Sequence, residues 1–198
     1  MWKKGRWPLL GLLGLTVVLA VVIAVAGSGS SGTDTGGGAA ASAPVRPTKG
    51  LPPALAQNLD EGDEIVGEGE AALEQRLADL EGHPVVVNQW ASWCTPCRVE
   101  FPFFREAVER YGDRVAFVGL DSQDERGAAE EFLVEFPVGF PSIFDPDASV
   151  AASLGGARSW PTTFFFDASG EQVHTRIGAY ATQELLEEDI ERFALAEG

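Results

Sequence analysis

"VVVNQWASWCTPCRVEFPFF", residues 85–104, carries both cysteines of the 198-residue chain, Cys94 and Cys97, with two residues between them. The stretch changes period in its middle. "PVVVNQW" (84–90) is β-branched and apolar on both faces, the pattern of a covered central strand. From Thr95 the apolar residues recur at helical spacing, which predicts a helix from about Thr95 to Tyr111. The pair therefore falls where a strand gives way to a helix, with Cys94 at the helix N-terminus. Orphan N–H groups and the macrodipole there stabilise a thiolate. In such settings a thiol pKa drops from about 8.5 into a range of roughly 3.5–7.5.

Three readings of the pair compete. A structural disulfide works by closing a long loop, and this one closes almost none. A closed zinc site needs about four ligands; no second cysteine pair follows, and His83 and His174 stand alone, read as surface or core residues. The third reading is redox exchange, and the strand-to-helix setting favours it. Cys94 then reads as the exposed, reactive thiol. Cys97, three residues on along the same helical face, is the shielded thiol that attacks a mixed disulfide formed by Cys94. Pro96 suits the first turn, where an N–H has no intrahelical partner.

Charge narrows the class of partner. The chain carries 14 basic and 30 acidic side chains, a net −16. Lys3, Lys4 and Arg6 precede every acid, so the part after residue 26 carries 11 − 30 = −19. Such a surface repels phosphate backbones and argues against nucleic acid. Residues 1–26 read as a membrane anchor: a basic start is followed by "PLLGLLGLTVVLAVVIAVA", 19 residues without a charge. The preceding cations predict a cytoplasmic N-terminus and an extracytoplasmic C-terminal domain. Ala24-Val25-Ala26 offers the alternative of a cleaved signal peptide and a secreted domain. Residues 27–50 are Gly, Ser and Ala rich and read as a disordered linker, with an r.m.s. reach of roughly 27 Å.

Residues 51–198 read as the folded domain. Strands are expected at 64–66, 84–90, 114–121 and "FPSIF". Helices are expected at "EAALEQRLADLEG", 95–111, "GAAEEFLVEF", "DASVAASL" and "TQELLEEDIERFALAE". "TTFFFD" and "EQVHTRIG" make a hairpin around "ASG". This alternation predicts an α/β domain, one central mixed sheet flanked by helices. Pro102 in the helix interior is expected to bend it over the sheet.

The segment "VVVNQWASWCTPCRVEFPFF" resembles the active site of the thioredoxin superfamily. It is most similar to the membrane-anchored, extracytoplasmic TlpA/ResA-type thiol-disulfide oxidoreductases, some of which serve cytochrome c maturation. "SWPTTFFFDASGE" resembles that family's cis-proline segment, with Pro161 in the proline's place, and the likeness covers about residues 63–198. It implies a thioredoxin-like fold in which the αβ pair between Gly127 and Phe144 matches the TlpA/ResA insertion. It implies Cys94 as nucleophile and Cys97 as resolving residue. Trp93, Trp160 and Pro161 would contact substrate. It implies no cofactor or metal; the partners are exported proteins with disulfides and a membrane electron donor.

Two polar residues are placed to tune the pair. Asn88 stands where thioredoxins carry a buried Asp, and an amide cannot move a proton. Glu100 can: its neighbours Phe103, Phe104, Ala107, Val108 and Tyr111 put it on the apolar face below Cys97. Burial should raise its pKa and suit it to proton transfer, as the glutamate at the matching position of ResA-like proteins suggests. The competing reading is an ordinary exposed glutamate. Thr95 and Pro96 add no positive charge beside the thiols, which favours a reductant. A disulfide-donating oxidant and a non-catalytic binding module are the two rivals.

Overall fold

The computed structural model describes residues 48–156 and 158–195; the apolar N-terminal run and the linker through residue 47 lie outside them. The chain forms α1 (Pro53–Asp60), β1 (Ile65–Glu68), α2 (Gly69–Asp79), β2 (Val85–Trp90), α3 (Thr95–Tyr111) and β3 (Ala116–Ser122). There follow α4 (Arg126–Glu135), β4 (Ser142–Asp145), α5 (Ser149–Ser153), β5 (Thr162–Phe166), β6 (Gln172–Ile177) and α6 (Gln183–Asp189), which continues as a π-helical segment, Ile190–Ala194. Among the described residues no helix is long and apolar enough to cross a membrane.

The six strands form one mixed sheet in the order β1-β4-β3-β2-β5-β6. The first four run parallel, while β5 is antiparallel to β2 and β6 to β5. Every residue of β2 is buried, because both faces of the sheet are covered. Val85 and Val87 point to one side, where Leu55 of α1, Leu73 of α2 and Val150 of α5 pack. Val86 and Trp90 point to the other, against Phe101 and Phe104 of α3, Phe132 of α4 and Leu186 of α6. A strand enclosed on both sides has no polar face to alternate, which is why "PVVVNQW" reads as a continuous run.

Helix α3 has the expected bounds and runs through Pro102. Its buried residues, Cys97, Glu100, Phe101, Phe104, Ala107, Val108 and Tyr111, repeat every three to four positions and make one stripe against the sheet. Helix α1 was not expected. Pro53 starts it, Leu55 plugs the core, and the buried Asn58 side-chain amide donates to the Phe117 carbonyl at 2.9 Å. The C-terminal helix departs from regular α geometry after Asp189. The wider turn buries Ile190 and Ala194 together and stacks Phe193 on His174, with ring centroids 3.7 Å apart.

Close packing at the centre of the sheet leaves no room for a side chain at Gly119 of β3. A Cβ there would collide with Ser142 Oγ and come within 2.8 Å of Trp90 Nε1, the pair joined by a 3.2 Å hydrogen bond. Gly119→Ala is expected to destabilise the domain by about 1–3 kcal/mol, read as a lower urea midpoint. An unchanged midpoint would contradict this packing.

Candidate functional site

Only Ala91, Ser92 and Trp93 separate the end of β2 from Cys94, and the Cys94 N–H folds back onto the Ala91 carbonyl at 3.0 Å. Cys94 is the N-cap of α3: its backbone is extended, and its Sγ accepts the Cys97 N–H at 3.2 Å. A sulfur in this position satisfies one of the helix's orphan donors. Cys94 and Cys97 are joined as a disulfide, their Cα atoms 5.3 Å apart.

The expected exposure of Cys94 is corrected by the structure. Cys94 keeps 2% of its surface and Cys97 none. The cause is the short turn, which brings Cys94 back into the cluster under α3, against which the half-buried Trp160 also packs. Its neighbours Trp93, Thr95 and Pro96 are exposed, so the disulfide lies in the floor of the surface they form.

Two indoles flank this floor. Trp93 donates its Nε1–H to the Gln123 carbonyl at 2.9 Å, and Trp160 donates to the Ser122 carbonyl at 3.2 Å. Their ring centroids are 5.2 Å apart, and Trp93 is 53% exposed. The Trp160–Pro161 peptide is cis. Pairing of Gln89 with Thr162 sets Pro161 just beyond the last β2–β5 pair, at the sheet end from which the disulfide turn leaves.

Glu100 lies one helical turn below Cys97 and is fully buried. Its Oε1 accepts from Asn88 Nδ2 at 2.9 Å and its Oε2 from the Tyr180 N–H at 3.0 Å. Burial pushes its pKa from 4.5 up to about 7; the two hydrogen bonds and the Arg176 charge pull the other way and only partly offset it. A carboxyl poised there takes or gives a proton at neutral pH.

Sequence reasoning did not find Tyr180, 80 residues from Glu100. Its phenol donates to Asp189 Oδ2 at 3.0 Å, and Arg176 both pairs with Asp189 at 3.1 Å and lies over the Tyr180 ring. This clamp fixes the backbone N–H that Glu100 uses. Nothing local in "GAYAT" signals it. Asp124 was also missed: its carboxylate accepts from the Ser92 N–H, and from Ser92 Oγ at 2.9 Å.

Glu100→Gln removes the titration at neutral pH. Because the folded pKa lies above the unfolded one, the stability held by the acid form is complete below about pH 4.5 and is lost as pH climbs through about 7. The loss is on the order of 3 kcal/mol across that window. Urea unfolding of the oxidised protein should show the parent losing this stability while Glu100→Gln does not. Parallel pH profiles would contradict a buried, titrating Glu100.

A sequence profile described as the AhpC/TSA family matches residues 64–174, more than half of the chain. The chain is 40% identical over 103 residues to the thiol:disulfide interchange protein DsbE of Pseudomonas fluorescens biotype C, covering 52% of this chain and 54% of that protein. It is 30% identical over 110 residues to the thiol-disulfide oxidoreductase ResA of Bacillus thuringiensis (strain Al Hakam), covering 55% of this chain and 63% of that one. The matches thus span between half and two thirds of these relatives' lengths. A solved structure, a putative thiol:disulfide interchange protein DsbE from Chlorobium tepidum, superposes with TM-score 0.54 at 31% identity, over 59% of this chain and 83% of the other. A mixed sheet with a disulfide capping the helix after its central strand is the thioredoxin-like arrangement, and the chain belongs to the AhpC/TSA family.

Proposed function

We propose that this protein is an extracytoplasmic thiol-disulfide oxidoreductase of the TlpA/ResA type that reduces disulfides in exported proteins, with cytochrome c maturation as a process it serves. One observation carries the reading: a Cys94–Cys97 disulfide caps α3 directly above a buried glutamate that titrates near neutrality. The relatives named DsbE and ResA support it.

In the reduced form the Cys94 thiolate attacks one sulfur of a substrate disulfide. That bond breaks, the other substrate sulfur leaves as a thiolate, and a mixed disulfide remains. Glu100 takes the Cys97 proton, and the Cys97 thiolate attacks Cys94 Sγ. The Cys94–Cys97 bond forms as the mixed bond breaks and releases the second substrate thiolate. Two electrons have passed from the dithiol to the substrate, whose thiolates take up the protons. Regeneration needs two electrons and two protons from a dithiol donor at the membrane. Trp93, Trp160 and Pro161 receive the substrate chain beside the disulfide.

The apolar run in residues 1–26 is the anchor that holds the domain near this donor, and the linker of residues 27–50 gives it reach. Residues 51–198 are the catalytic domain, and α4 with β4 is the insertion of the TlpA/ResA branch. The acidic surface disfavours nucleic acid as a partner.

Direction follows from charge. Strong oxidants over-stabilise the thiolate, whereas here the residues between the cysteines are uncharged and the helix N-terminus is the main stabiliser. Equilibration with glutathione or dithiothreitol buffers is expected to give a potential below roughly −200 mV. A value above about −150 mV would reverse the direction and make the protein a disulfide donor.

A further inference from the structure

Asp121, the penultimate residue of β3, is a carboxyl group that the exchange mechanism does not use. It is completely buried, and among the described residues no N–H or O–H group donates to either of its oxygens. Its strand neighbours are Trp90 on β2 and Phe144 on β4. Among the described residues a second carboxyl, that of Asp124, interacts with it side chain to side chain. Two carboxylates in such contact cannot both stay ionised; they share one proton.

The surroundings decide which of them holds it. Asp124 is half-buried and accepts three hydrogen bonds, from the Ser92 N–H, from Ser92 Oγ at 2.9 Å and from the Glu125 N–H at 2.8 Å. Donors of this kind favour an anion. Asp121 has none and lies out of water. The other charges facing it are Arg126 from α4 and Asp145 from β4. The Arg126 guanidinium is engaged by Glu68 at 3.3 Å and lies over the Phe144 ring, while Asp145 adds a further negative charge.

We propose that Asp121 is a neutral carboxylic acid donating its proton to the Asp124 carboxylate, and that this pair positions the Ser92–Cys94 turn that carries the disulfide. Burial first, and the Asp124 charge second, push the Asp121 pKa from 3.8 up to about 9, in line with the geometry. Ser92 is tied down at three points: its N–H and hydroxyl to Asp124, and its carbonyl to Arg98 at 3.0 Å. Trp93 is tied to Gln123 by its indole. The segment from Asp121 to Asp124 is therefore the mount of the residues just before Cys94. Loss of the shared proton sets two anions against each other and loosens that mount. Asp121 is a positioning residue, and its effect on exchange rests on the redox reading above.

The test uses the full chain in its oxidised form, where the cysteines do not titrate. The Ser92 amide and Trp93 indole signals are followed by NMR from about pH 5 to about pH 10.5. In the parent both should move together with a midpoint near 9, and in Asp121→Asn both should stay flat. The Asn amide still donates to Asp124 but cannot lose the proton. Flat signals in the parent, or the same midpoint in Asp121→Asn, would overturn the proposal. For function, the dithiol–disulfide equilibrium with glutathione should stay within about twofold of the parent in Asp121→Asn and shift by roughly tenfold in Asp121→Ala. An Asp121→Ala equilibrium equal to the parent's would also overturn it; should that variant not fold, the Ser92 titration decides. Absence of any glutathione exchange in the parent is a different failure. It would remove the redox reading and leave the NMR titration to judge the acid pair on its own.

Discussion

The first turn of α3 is organised by one contact, the Cys97 N–H donated to Cys94 Sγ. It marks where the helix begins, while the apolar spacing of α3 sets which residues face the sheet. With the helix starting at Thr95, Cys97, Glu100, Phe101 and Phe104 fall on the buried stripe and Arg98 and Val99 fall outside it. The sulfur that begins the helix is also the proposed nucleophile, so the same orphan donors that cap the helix would favour its thiolate.

Enclosure of the sheet on both faces does the rest. A carboxyl buried under α3 and another buried at the end of β3 both have their pKa values raised by lack of water. Their environments differ. Glu100 has two N–H donors, from Asn88 and Tyr180, which hold it near neutrality. Asp121 has no donor among the described residues and a neighbouring carboxylate, which keeps its proton on to higher pH. One group is suited to trading protons with the thiols at neutral pH, the other to keeping its proton there.

Much of this was readable in the chain because the signals are local. The change from a β-branched run to helical spacing at Thr95 gave both bounds of α3, and the apolar neighbours of Glu100 at helical spacing put it on the buried face. What failed to show was assembled from afar. Tyr180 reaches Glu100 only after β5 and β6 have folded back along β2. Asp121 reads as the polar end of a strand until Asp124 curls over it. The burial of Cys94 depends on the shortness of the turn before it, and helix termini in sequence are read as exposed. Helix α1 is brief and gains its order from Leu55 and Asn58 inserting into a core built elsewhere. The π-helical end follows from packing on His174 and the sheet, which no periodicity in "DIERFALAE" encodes.

In the proposed function Cys94 exchanges disulfides with other proteins and Cys97 resolves the product. Replacing Cys97 by Ser in the host leaves the nucleophile without its partner, so mixed disulfides should accumulate. Gel separation without reductant, followed by mass spectrometry, identifies what is held. Exported proteins linked through Cys94, released by dithiothreitol and absent from a Cys94→Ser variant, are the expected result. Adducts that form equally on Cys94→Ser, or none on a folded Cys97→Ser protein, would contradict it.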